Sequence, residues 1–93
     1  MVIVHERVCR RHPELTEKDV VAAWENQFRS TTRDTSDGIR YLAVGFDSNN
    51  RSIEMIAIER DVDTWLIFHA MTPPSSKTLS ELRMTRKGTR GCT

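Results

Sequence analysis

The run over residues 38–71 constrains this chain more than any other stretch. It reads as three β-strands, over 39–46, 53–59 and 65–71, each rich in Ile, Leu, Val, Phe, Tyr or Trp, residues that suit a pleated, half-buried surface. Asp47-Ser48-Asn49-Asn50 separates the first two, and such side chains satisfy their own backbone in turns and tolerate left-handed dihedrals. A short polar stretch over 60–64 separates the second pair. Connections this short permit antiparallel hairpins and exclude parallel crossovers. The stretch therefore predicts a three-stranded antiparallel meander.

Strict alternation places Leu42, Val44 and Phe46 on one face of the first strand and Tyr41, Ala43 and Gly45 on the other. In the second strand Ile53, Met55, Ala57 and Glu59 oppose Glu54, Ile56 and Ile58; in the third, Trp65, Ile67, His69 and Met71 oppose Leu66, Phe68 and Ala70. Neither face is cleanly polar, whereas a sheet wetted on one side alternates more strictly. The second face is thus expected to be covered by a terminal helix, by another chain, or by both. The face carrying Trp65, His69 and Met71 has the more mixed chemistry and is where a site or partner is expected.

The flanks supply the covering elements. Residues 16–28 predict a helix: Thr16 is a sound N-cap, Glu17 and Asp19 put negative charge on the first turn, and Val20, Val21, Trp24 and Phe28 form one apolar stripe. Residues 2–11 read as a strand or a helix, with a helix favoured, stopping before His12-Pro13 because the residue before proline avoids the α region. Residues 29–34 suggest a short polar edge strand with Arg29, Thr31 and Arg33 on one face, followed by a turn at Thr35-Ser36-Asp37-Gly38. Thr72-Pro73-Pro74 stops the sheet, and Ser75 or Ser76 caps a short helix bearing Leu79 and Leu82. The expected fold is α+β: N-terminal helices on a twisted antiparallel sheet of about four strands, then a short C-terminal helix. Residues 1–84 form one domain and 85–93 a flexible basic tail.

A net charge of +1 gives no bulk argument for nucleic acid. The basic residues do crowd both ends, Arg7, Arg10 and Arg11 at one and Arg83, Arg86, Lys87 and Arg90 at the other, and would make a phosphate-binding patch if the fold joined them. No stretch reaches the ~18 apolar residues of a membrane span, and no secretory apolar region follows Met1, so a cytoplasmic protein is expected. Cys9 and Cys92 read as free thiols; cationic neighbours could lower the pKa of Cys9, but Cys9 in an amphipathic helix is not expected to be a nucleophile. His5, His12 and His69 lie far apart without metal-ligand spacing, and no glycine-rich phosphate loop exists, so neither metal nor cofactor is expected. His12 reads as closing the first helix, Trp24 as core, and Trp65 as cover for the sheet edge.

The order of elements, with Arg10-Arg11-His12, Thr16-Glu17-Lys18-Asp19-Val20, Arg40-Tyr41-Leu42-Ala43-Val44-Gly45 and His69-Ala70-Met71, resembles the BrnT-type toxins of bacterial toxin–antitoxin pairs over about residues 8–84. The resemblance implies a RelE-like fold and a metal-independent ribonuclease that stops translation and is neutralised by a small cognate antitoxin. Two features depart from it. The family's N-terminal strand with its Trp-Asp-like pair is missing or truncated, and the charged start of its closing helix is replaced by Thr72-Pro73-Pro74-Ser75-Ser76-Lys77.

Metal-free RNA cleavage needs the 2′-hydroxyl deprotonated, the leaving oxygen protonated, and charge at phosphorus stabilised. On chemistry alone the candidates are His69 with Glu59 for proton transfer and Arg40 and Arg33 for phosphate, since guanidinium donors match phosphate oxygens. Glu59 and His69 are expected on one sheet face. Arg29, Arg33, Arg10, Arg11 and Lys77 are candidate RNA contacts. Two other classes stay open on the residues: a non-enzymatic interaction module, such as a homodimer through the second sheet face, and a small nucleic-acid-binding protein.

Overall fold

Residues 1–36 and 38–84 are described by a computed structural model of the chain. The elements in order are β1 (Val2–Val4), α1 (Glu6–Arg11), α2 (Glu17–Glu25), β2 (Gln27–Thr35), β3 (Gly38–Phe46), β4 (Ser52–Asp61), β5 (Thr64–Met71) and α3 (Ser76–Glu81). The five strands form one sheet in the order β1-β5-β4-β3-β2. The meander β3-β4-β5 is its centre, β2 extends it antiparallel, and β1 runs parallel to β5 at the opposite edge. The fold is α+β, with the short closing helix in place.

The first face lies under α1 and α2. Ala43, Ile53, Met55, Ala57, Ile67 and Ala70 from the strands pack with Val8, Leu15, Val20 and Ala23 in one buried cluster. At its end Trp65 stands half-buried, 4.4 Å from the Tyr41 ring and 6.0 Å from Trp24. Gly45 allows α2 its close approach: a Cβ there would stand 1.9 Å from the carbonyl oxygen of Ala23. Thr16 starts α2 with a capping box, its Oγ1 accepting from the Asp19 amide while Asp19 Oδ2 accepts from the Thr16 amide, both at 3.0 Å. The Thr16 amide bond is the first cause of the lowered Asp19 pKa, with the Arg51 guanidinium adding to it.

Arg51 ties the β3–β4 turn to that helix start. It donates to Asp47 Oδ2 at 2.8 Å, to Asp19 Oδ2 at 3.1 Å and to the Glu14 carbonyl at 3.0 Å. Asp47 also accepts from the amides of Asn49 and Arg51 and so closes the turn predicted for it. Asn50 there has φ 65, a conformation Asn tolerates.

The second face carries a smaller cluster. Leu42 and Val44 pack with Leu82, and Ile56 and Met84 lie against them. The terminal helix thus covers part of this face. Ser75 caps α3, its Oγ accepting from the Thr78 amide at 3.2 Å.

Three expectations are corrected. Residues 2–4 leave the first helix and form β1, because a parallel place beside β5 satisfies their backbone and packs Val2 and Val4 against the core. This adds a fifth strand and makes the sheet mixed. The helix over 16–28 ends at Glu25; Phe28 sits in a β2 bulge, 58% exposed, edge-on to Phe46 at 6.0 Å. The third correction concerns β5, where a bulge interrupts the alternation: Ala57 pairs with Ile67, but Ile56 pairs with His69. Trp65 and Ile67 therefore face α1 and α2, while His69 and Met71 face the other way. The Cys9 pKa is raised, first by burial and then by Glu17 and Asp19, so the neighbouring arginines do not lower it. The expected tail and Cys92 lie outside the described residues.

Candidate active site

The β5 bulge decides the site. Because Phe68 is an extra residue in the ladder, His69 turns onto the second face and meets Glu54 of the central strand. His69 Nε2 lies 2.7 Å from Glu54 Oε2. The Glu54 side chain is 6% exposed and that of His69 35%, so a buried carboxylate backs a half-exposed imidazole.

Glu54 is held from a second side. Its Oε1 accepts from the Ser75 amide at 2.9 Å and from Ser75 Oγ at 3.1 Å. Burial disfavours the charged carboxylate, but the bonds from His69, Ser75 and Thr78 outweigh it and bring the pKa down to about 2. Glu54 is therefore ionised at neutral pH. The residue that caps α3 is also the residue that holds the carboxylate.

Arg40 shares this face. It pairs across the ladder with Ile58, and its guanidinium carbon stands 5.1 Å from the ring centre of Phe68, the residue before His69. Lys77 lies exposed in the first turn of α3. A half-exposed imidazole, an ionised carboxylate behind it and a guanidinium on the same face can exchange a proton next to an anion.

The other candidates are not gathered there. Glu59 pairs with Trp65 and, by alternation from Ala57, belongs to the helix-covered side of the sheet, away from His69. The expectation that Glu59 and His69 share a face fails for the same reason that His69 changes sides. Arg33 is engaged with Glu81 of α3, and Arg29 donates to the carbonyls of Leu82 and Arg83 at 3.2 and 3.3 Å. Both hold the closing helix. Arg10 pairs with Glu6 on α1 at 3.4 Å, and Arg11 is exposed on the same helix, across the sheet from His69. The basic start of the chain on α1 and Arg83 after α3 therefore stand on opposite faces. His12 caps α1, as its sequence place before Pro13 predicts.

Sequence reasoning missed Glu54. The signal was present: a carboxylate inside Ile53-Glu54-Met55-Ile56, in the middle strand of a meander, is buried and needs a partner. Among the described residues, no three or more His, Cys, Asp or Glu converge to hold a metal ion. No helix among them is long and apolar enough to cross a membrane. A groove of about 460 Å³ lies between α1 and the start of α2, lined by residues including His5, Cys9, Leu15 and Glu17, on the face opposite His69. Compared with family models, curated proteins and solved structures, the chain finds no match.

Proposed function

We propose that this protein is a metal-independent endoribonuclease, the toxin of a toxin–antitoxin pair, whose partner is a small antitoxin protein. The observation that carries the reading is the His69–Glu54 pair at 2.7 Å, half-open to solvent, with the Arg40 guanidinium on the same face against the Phe68 ring. The sequence resemblance over about residues 8–84 supports it. His69 takes the proton of an RNA 2′-hydroxyl; the O2′–P bond forms and the P–O5′ bond breaks. The proton then passes from His69 to the leaving O5′, giving a 2′,3′-cyclic phosphate and a free 5′-hydroxyl. Arg40 offsets the charge that develops on the phosphoryl oxygens.

Inducible expression in a bacterial host, with growth and total RNA integrity followed together, tests this. Growth arrest with RNA cleavage, both lost in His69→Ala and unaffected by chelator in the purified reaction, is the expected result. Normal growth and intact RNA with abundant folded protein would end the reading.

One observation favours a second reading, an interaction module. Ile58, Leu66 and Phe68 on the second face are only half-buried. A stable homodimer of full-length protein in sedimentation, without growth arrest, would shift the assignment to that class.

A further inference from the structure

We propose that Glu54 is a positioning residue that fixes the imidazole tautomer of His69 and leaves Nδ1 as the atom that exchanges the proton. The catalytic consequence rests on the ribonuclease reading; the tautomer does not.

The argument is one of donors and acceptors. The Ser75 amide can only donate, so Glu54 Oε1, at 2.9 Å, is an unprotonated acceptor. Ser75 Oγ, at 3.1 Å, adds a hydroxyl to the same oxygen. These bonds, with those from His69 and Thr78, outweigh burial and keep the whole carboxylate ionised at neutral pH, so Oε2 is an acceptor as well, and it faces His69 Nε2 at 2.7 Å. A bond at that distance needs a hydrogen, and it is on Nε2. A neutral imidazole then has its lone pair on Nδ1. No group among the described residues bonds to Nδ1, and the side chain is 35% exposed. Arg33, on the strand beside α3, is engaged with Glu81.

Glu54 itself does not meet the substrate. Its side chain is 6% exposed, behind the imidazole and under the start of α3. It acts by keeping the proton on the far nitrogen, so that Nδ1 receives the 2′-hydroxyl proton and later returns it. The Ser75 cap is part of the same device. A helix start that serves only α3 needs a hydroxyl for the Thr78 amide, whereas this one also spends its amide and hydroxyl on Glu54.

The test is two-bond ¹H–¹⁵N correlation on the full-length labelled protein, at a pH where imidazole is neutral, with the His69 signals assigned by His69→Gln. The expected pattern is a protonated Nε2 and a bare Nδ1. A protonated Nδ1, or a mixture of tautomers, would overturn the proposal. This measurement uses the unaltered chain, so it does not depend on a variant folding. Glu54→Gln should move the proton toward Nδ1, because the donor-only Ser75 amide draws the Gln oxygen and leaves its NH2 facing His69 Nε2. Cleavage of a single-stranded RNA oligonucleotide by that variant should lose about 10²- to 10⁴-fold in kcat with KM unchanged, the range general acid–base catalysis supplies. An unchanged kcat in a folded Glu54→Gln protein would overturn the positioning role. Inert RNA with wild-type protein, alongside the Nε2–H pattern, would end the ribonuclease reading while supporting the tautomer assignment.

Discussion

Arg33 grips Glu81 with two charge-assisted bonds, from Nε at 2.9 Å and from Nη2 at 2.6 Å, and so fastens the edge strand to the closing helix. The two side chains are 33% and 30% exposed, so water screens the pair. A double-mutant cycle of Arg33→Ala and Glu81→Ala should give a coupling of about 1 kcal/mol, near the top of the range for exposed pairs because the geometry is bidentate. Raising salt should shrink it. A coupling near zero in chemical denaturation would remove the pair from the forces that hold α3.

Gly45→Ala should be far more damaging. The added Cβ would meet the Ala23 carbonyl at 1.9 Å, and a helix carbonyl cannot step aside as a side-chain tip can. Overpacking of this kind costs ~3 kcal/mol or more. Thermal unfolding reads the effect directly, and a melting temperature within a few degrees of wild type would mean that α2 lies further from the sheet.

Arg51→Ala tests the link between the β3–β4 turn and α2. It leaves the wholly buried Asp47 side chain with backbone donors only and removes the bonds to Asp19 and the Glu14 carbonyl. Breaking one partner of a buried ionic group leaves an uncompensated charge, so a loss of about 2–4 kcal/mol is expected in urea unfolding. Arg51→Lys should recover only part of it, since one ammonium cannot reproduce the fork.

Glu54 also sets a pH dependence. Its folded pKa is about 2 against an ordinary 4.5, a depressed carboxylate. The stabilisation is therefore present in full above about pH 4.5 and is lost as pH falls toward about 2. It amounts to roughly 3 kcal/mol at neutral pH. Asp19 and Glu81, also lowered, act in the same direction. Unfolding free energies of wild type and Glu54→Gln should converge as the buffer is taken down through that window. A constant gap would mean that His69 and Ser75 do not stabilise the ionised form.

Cys9 should react slowly. Burial and the nearby carboxylates of Glu17 and Asp19 raise its pKa, and the thiolate is the nucleophile. In a Cys92→Ser protein, alkylation by iodoacetamide at pH 8 should run slower than for free cysteine. A faster rate would contradict the placement of those carboxylates.

Local signals wrote most of the architecture. The turn at Asp47-Ser48-Asn49-Asn50, the Thr16 cap, the polar β2 edge and the Ser75 cap each depend on residues within a few positions of one another, and each is where the sequence places it. What failed was long-range. Val2-Ile3-Val4 are strand-forming residues, but three of them are too few to set a strand apart from the helical pattern behind them, and the partner that settles it, β5, is more than sixty residues away in the chain.

The candidate site failed in a more instructive way. His69 was legible as a candidate, at a strand end before two prolines, but its partner was not. Alternation counted along the third strand puts His69 with Trp65 and Ile67 and turns it toward Glu59. One bulged residue, Phe68, reverses that and delivers the imidazole to Glu54. The sequence alone determined that a meander would form, which helices would start where, and which histidine was worth attention, because those depend on composition and near-neighbour chemistry. Only the tertiary structure decided which face each chemical group occupies, because side-chain direction in a strand has period two and a single-residue slip exchanges the faces.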